Sequence, residues 1–119
     1  MSRIALLAAG LVAMLALAAP SGAMGPTKLK GTVGPGFTIS LKKGTTKVKT
    51  LKPGKYTITV ADKSNIHNFH LKGPVNKKIT SVAFVGTKTV TVTLTKGKYT
   101  YVCDPHASMA SMRGTFTVK

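Results

Sequence analysis

The sequence predicts an all-β protein, an antiparallel sandwich of about seven or eight short strands. Three observations predict it. Threonine and valine recur with a period of two, Gly and Pro cut that pattern repeatedly, and beyond residue 23 there is almost no helical periodicity. Each strand follows in order. Phe37, Ile39 and Leu41 alternate with Thr38 and Ser40, and Lys42-Lys43-Gly44 ends the strand. Pro53-Gly54 makes a turn, after which Tyr56, Ile58 and Val60 alternate. Ile66 to Leu71 is an extended run closed by Gly73-Pro74. Val75 to Gly86 reads as a loop with one irregular strand around Val82 and Phe84. Val90, Val92 and Leu94 alternate with threonines, and Lys96-Gly97 turns the chain into Tyr99, Tyr101 and Cys103. Thr115 to Lys119 forms the last strand, with Phe116 and Val118 on one side.

Ahead of these strands stands a targeting segment. Arg3 supplies a short positive region, and Ile4 to Ala19 is apolar and rich in Ala and Leu. Pro20 breaks the pattern, and Ser21-Gly22-Ala23 fits a small-x-small cleavage site. That pattern is a secretory signal peptide over residues 1–23, leaving one domain over 24–119. The apolar run is short for a membrane anchor, which takes roughly 20 apolar residues. No cysteine near the cleavage region supports a lipoprotein. The expected location is secreted or periplasmic.

The chain has a single cysteine, Cys103, so it forms no internal disulfide. A lone thiol in an oxidising compartment is paired between chains, buried or occupied by a metal. Charge is the second oddity. Eighteen Lys and Arg face two acids, Asp62 and Asp104, for a net +16. Such a field favours acidic partners or anionic surfaces, including a membrane or cell surface. Specific nucleic-acid binding is not expected. The lysines are scattered through strands and turns, and aromatics are few for base stacking.

The chemistry sits in Cys103-Asp104-Pro105-His106-Ala107-Ser108-Met109-Ala110-Ser111-Met112. Thiol, imidazole and thioether form a soft ligand set that selects copper over magnesium or calcium. A thiolate, two imidazoles and a weak axial thioether make a blue-copper electron-transfer site. The second imidazole is His67 or His70. Tyr99, Tyr101 and Cys103 share one strand face, and Pro105 forces the chain out of the strand, so His106 lies beside the cysteine. By the same parity His67 shares a face with Phe69 and Leu71, which places it inside and His70 outside.

His67-Asn68-Phe69, then Tyr99-x-Tyr101-x-Cys103-Asp104-Pro105-His106 and the closing Gly114-Thr115-Phe116-Thr117-Val118, resemble the cupredoxins. Within them the likeness is to plastocyanin, amicyanin and pseudoazurin, over residues 37–119. The resemblance implies a Greek-key β-sandwich with one type 1 copper at one end. It matches His67, Cys103 and His106 to the ligands and Asn68 to an asparagine that braces the ligand loops. Family members often carry Ser or Thr where this chain has Asp104. The axial methionine is Met109 or Met112, because the triplet Ala-Ser-Met is written twice. Met112 is favoured, since the return into the last strand fixes its position.

These readings imply a monomeric one-electron carrier whose redox partner is acidic where it docks, and the resemblance implies that His106 is the electron port. No nucleophile, base or substrate pocket is visible, so no enzymatic turnover is expected. One rival is a copper protein for storage, delivery or resistance. Another is a structural module whose lysines bind anionic polymers.

Overall fold

The computed structural model describes residues 25–119. The expected leader, residues 1–23, lies outside the described residues. Ten strands form: β1 (Thr27–Val33), β2 (Ile39–Lys43), β3 (Thr46–Lys47), β4 (Thr50–Leu51), β5 (Gly54–Asp62), β6 (His70–Lys72), β7 (Lys77–Lys78), β8 (Gly86–Leu94), β9 (Gly97–Val102) and β10 (Arg113–Val118). Three of them, β3, β4 and β7, are two-residue fragments. The remaining seven make the expected Greek-key sandwich.

One sheet runs β3-β2-β1-β5-β8 and the other β4-β10-β9-β6-β7. The chain crosses between them repeatedly, so strands adjacent in sequence often lie in opposite layers. Most pairings are antiparallel, as expected, but β1 runs parallel to β5 and β4 parallel to β10. A purely antiparallel sandwich is therefore corrected to a mixed one.

Alternation builds the core. Tyr56, Ile58 and Val60 of β5 point inward with Leu29, Leu41 and Leu94, against Leu71, Tyr99, Tyr101, Phe116 and Val118 of the second sheet. Each fully buried aliphatic or aromatic side chain contributes about 1.5–3 kcal/mol relative to exposure. Tyr99 stacks on Phe116 with centroids 5.1 Å apart, and Phe69 on Tyr101 at 5.8 Å. The Tyr99 hydroxyl donates to the Thr95 carbonyl at 2.8 Å and accepts from the Thr95 amide at 3.1 Å, so its polar end is satisfied.

Several local readings are corrected. β1 begins before the first expected strand. Phe37 lies outside β2, and its ring is 45% exposed. Of the Ile66–Leu71 run only His70 and Leu71 are strand, in β6, and His67 to Leu71 are all buried. No strand forms at Val82 or Phe84, and β7 lies earlier.

Candidate metal centre

Cys103 directly follows β9, and its amide donates to the Met112 carbonyl at 3.0 Å, closing the loop onto the start of β10. Between them the loop is wound by local bonds. A 3₁₀ turn spans Asp104–His106 and another spans Ala110–Met112. The His106 amide reaches the Cys103 carbonyl at 3.1 Å, and the Met109 amide reaches that of His106 at 2.9 Å. Pro105 suits the first turn, because its position needs no amide donor.

His67 arrives from the other side. The Phe69 amide donates to Thr80 Oγ1 at 2.9 Å, and the Ile79 amide donates to the Phe69 carbonyl at 2.8 Å, which pins the segment. Gly34 makes room for the imidazole. Its φ is +74°, and an added Cβ would stand 3.3 Å from His67 Cδ2.

Three donor atoms converge. His67 Nδ1 and His106 Nδ1 are 3.1 Å apart, and Cys103 Sγ lies 3.6 Å from the first and 3.4 Å from the second. The point equidistant from all three lies about 2.0 Å from each, a metal–nitrogen bond length, and a longer bond to sulfur of about 2.3 Å needs only a small shift toward the two nitrogens. His67 and Cys103 are buried, while His106 is part-exposed. His67 Nε2 is buried without a hydrogen-bond partner. A proton there leaves the Nδ1 lone pair aimed at the centre. Thiolate sulfur and two imidazole nitrogens at this spacing fit a soft transition-metal ion such as copper.

Of the expected residues, His67, Cys103 and His106 are brought together and His70 is not. The methionines separate by burial: Met112 is 0% exposed and sits in the apolar core cluster with Cys103, whereas Met109 is 37% exposed.

Around the donors lies a hydrogen-bonded brace. The Asp104 amide donates to Asn68 Oδ1 at 2.7 Å, and Asn68 Nδ2 donates back to Asp104 Oδ2 at 2.9 Å. His70 Nδ1 lies 2.9 Å from Asp104 Oδ1 and Lys72 Nζ lies 3.8 Å from it. Burial alone would raise the Asp104 pKa. The hydrogen bonds from Asn68 and His70, with the positive charge of His70 and Lys72, outweigh it and hold the carboxyl below its ordinary value. His70 is therefore not the solvent-facing residue that strand parity suggested. The segment is covered on both sides, so alternation does not separate inside from outside there.

Phe37 was read as a strand residue. Its ring instead meets both histidines edge-on, with centroids 5.1 Å from His67 and 5.0 Å from His106. Its lone placement before Thr38 carries no signal for this. Phe37→Ala is expected to speed metal loss to an external chelator about three- to tenfold, since such aromatic contacts are worth roughly 0.5–1.5 kcal/mol. Stopped-flow chelation checks this, and the half-exposed ring makes little change in thermal stability.

Residues 37–119 match the family model of copper binding proteins, plastocyanin/azurin family. Among solved structures, reduced rusticyanin is 26% identical over 77% of this chain and 78% of its own, with a TM-score of 0.54. Rusticyanin from Thiobacillus ferrooxidans is 25% identical over 77% of this chain and 76% of its own, with a TM-score of 0.50. A methionine-to-glutamine mutant of rusticyanin is 24% identical over 77% and 76%, with a TM-score of 0.56, and shows the fold alone. No curated protein sequence matches the chain.

Proposed function

The chain belongs to the plastocyanin/azurin family of copper-binding proteins, and on that premise we propose that it carries single electrons outside the cytoplasm. It is a blue copper protein whose cofactor is one type 1 copper ion. We assign His67 Nδ1, Cys103 Sγ and His106 Nδ1 as the close ligands and Met112 as the axial one. The observation that supports this most is the donor triangle with sides of 3.1, 3.4 and 3.6 Å.

When bound, copper supplies a centre that alternates between Cu(I) and Cu(II). The chain's own residues do the rest. Cys103 gives up its proton on metal binding and stays shielded as a thiolate. Loop bonds from Cys103 to Met112 and the Asn68–Asp104 brace keep the donors in place whichever oxidation state they face. His106, the one of the three donors that reaches the surface, would give the electron its way in and out.

Exposed Phe37, Ile66 and Met109 lie on or near the two histidines in space or sequence and would meet the partner. That partner is acidic at its docking surface. The chain has a net charge of +16, Asp62 is buried, and Asp104 is hydrogen-bonded in the brace. The same charge suits an anionic membrane or cell surface, although no helix among the described residues is long and apolar enough to cross a membrane. Residues 1–23 act as the signal peptide and 24–119 as the single domain, a monomer without enzymatic turnover.

Met112→Leu tests the axial assignment. Leucine keeps the volume but offers no lone pair, and the resulting three-coordinate site suits Cu(I) better than Cu(II). The reduction potential should rise by roughly 60–120 mV, a ten- to hundredfold shift in the redox ratio. Met109→Leu should leave it unchanged. The reverse pattern in voltammetry would make Met109 the axial ligand. A protein that exchanges copper rapidly with a chelator and shows no reversible one-electron wave would instead be a copper-handling protein.

A further inference from the structure

His70 is 6% exposed, yet it is polar and is not among the three converging donors. Its two ring nitrogens both face oxygen. Nδ1 lies 2.9 and 3.0 Å from the two carboxylate oxygens of Asp104, and Nε2 lies 2.6 Å from Asn76 Oδ1. An imidazole donates through one nitrogen and can accept through the other, and the Asn76 amide can turn either its oxygen or its NH2 toward the ring, so His70 links carboxylate to amide. The charged groups on neighbouring strands and loops are Asp104, Lys72 on the same strand, and Lys78, the register partner of His70 on β7. On β9 its register partner is Val102, which is apolar. Asp104 is thus the one anion among these neighbours.

Asp104 is also the residue between Cys103 and Pro105. Its amide and one carboxylate oxygen are taken by Asn68, and His70 takes what remains of the carboxylate. Without His70, a carboxylate one residue from the thiolate would keep only Asn68 and a lysine 3.8 Å away. The Asp104 side chain is 31% exposed, so with fewer partners the turn would be free to swing it toward water.

We propose that His70 is a positioning residue for the metal loop: a buried imidazole that bridges Asp104 to Asn76 and holds the Cys103–His106 turn in its ligating shape before any metal binds. Its functional meaning rests on the ligand assignment above, but its existence does not. The bridge joins three elements at once: the loop after β9, the start of β6 and the loop leading into β7. Asparagine and carboxylate alone would tie only the first two.

The test uses apo-protein, so that copper chemistry plays no part. Amide hydrogen exchange reads the positioning. His70→Gln should accelerate exchange over residues 104–109 at least about tenfold while β5 and β8 stay protected. Asp104→Asn should accelerate the same amides, and the double variant should add little, as expected for groups that act as one unit. Unchanged exchange, or acceleration spread evenly over the domain, would reduce His70 to ordinary core packing. Should His70→Gln fail to fold, Asn76→Ala removes the outer partner at an exposed position, and about threefold faster loop exchange is expected; no change there overturns the bridge. In the copper-loaded His70→Gln protein the blue band should shift in wavelength, as the Cys103 turn loses its support; an unshifted band overturns the positioning. A blue band with an unaltered apo loop would refute the bridge alone, whereas an altered apo loop without a blue band would refute the copper reading alone.

Discussion

Cys103→Ala yields a folded but colourless protein. The thiolate is one of three close donors, and the only one able to give an intense sulfur-to-copper transition in the visible range. Alanine removes it altogether. Loss of an outer partner of a metal ligand typically costs 10–100-fold in affinity, so loss of the ligand itself should weaken Cu(II) binding by more than about 100-fold. Titration followed by visible absorption and by competition with a chelator checks both statements. The fold should survive, because alanine keeps the buried position apolar and removes only one sulfur atom from the core cluster. Apo-protein unfolding should shift by only a few degrees, in keeping with the small volume removed.

Gly114→Ala destabilises the whole sandwich. Gly114 sits opposite Tyr101 in the β9–β10 register. An added Cβ would overlap Cζ, Oη and Cε2 at the hydroxyl end of the Tyr101 ring. Tyr101 is buried and stacked on Phe69, so it has no free space to move into. Overpacking of this kind costs about 1–3 kcal/mol, and each kcal/mol lowers Tm by roughly 4–8 °C in a domain of this size. The site suffers as well, because Tyr101 and Cys103 are two residues apart on the same segment. Thermal unfolding of the apo-protein is the measurement. Gly36→Ala is the control: nothing lies within 4 Å of its added Cβ, so its effect should stay within about 0.5 kcal/mol.

What the sequence revealed followed its alternation. Tyr56-Ile58-Val60 and Tyr99-Tyr101-Cys103 were legible because one face of each strand is buried and the other is wet. The position of Cys103, and of His106 beyond Pro105, came with them. β1 was not legible, because its inward face is Leu29, Gly31 and Val33, and the glycine leaves a gap in the pattern. That gap is filled by the ring of Phe69, whose atoms would stand 2.8 Å from a Cβ on Gly31. β3, β4 and β7 are too short to show any period. Parity placed His67 inside, yet it put His70 outside, since the period-two rule assumes one wet face and this segment has none. Met109 and Met112 lie in a repeated triplet, so the sequence favours Met112 only through its distance from the last strand, whereas burial separates the two directly. Phe37 became a cover for two histidines distant in the chain, a relation no local pattern encodes.

The copper centre itself is the central claim, and one titration addresses it. Cu(II) is added to the purified protein while its visible spectrum is recorded. An intense blue band that grows linearly and saturates at one equivalent is the predicted result. A pale, weakly absorbing complex, or no colour at any ratio, would contradict it.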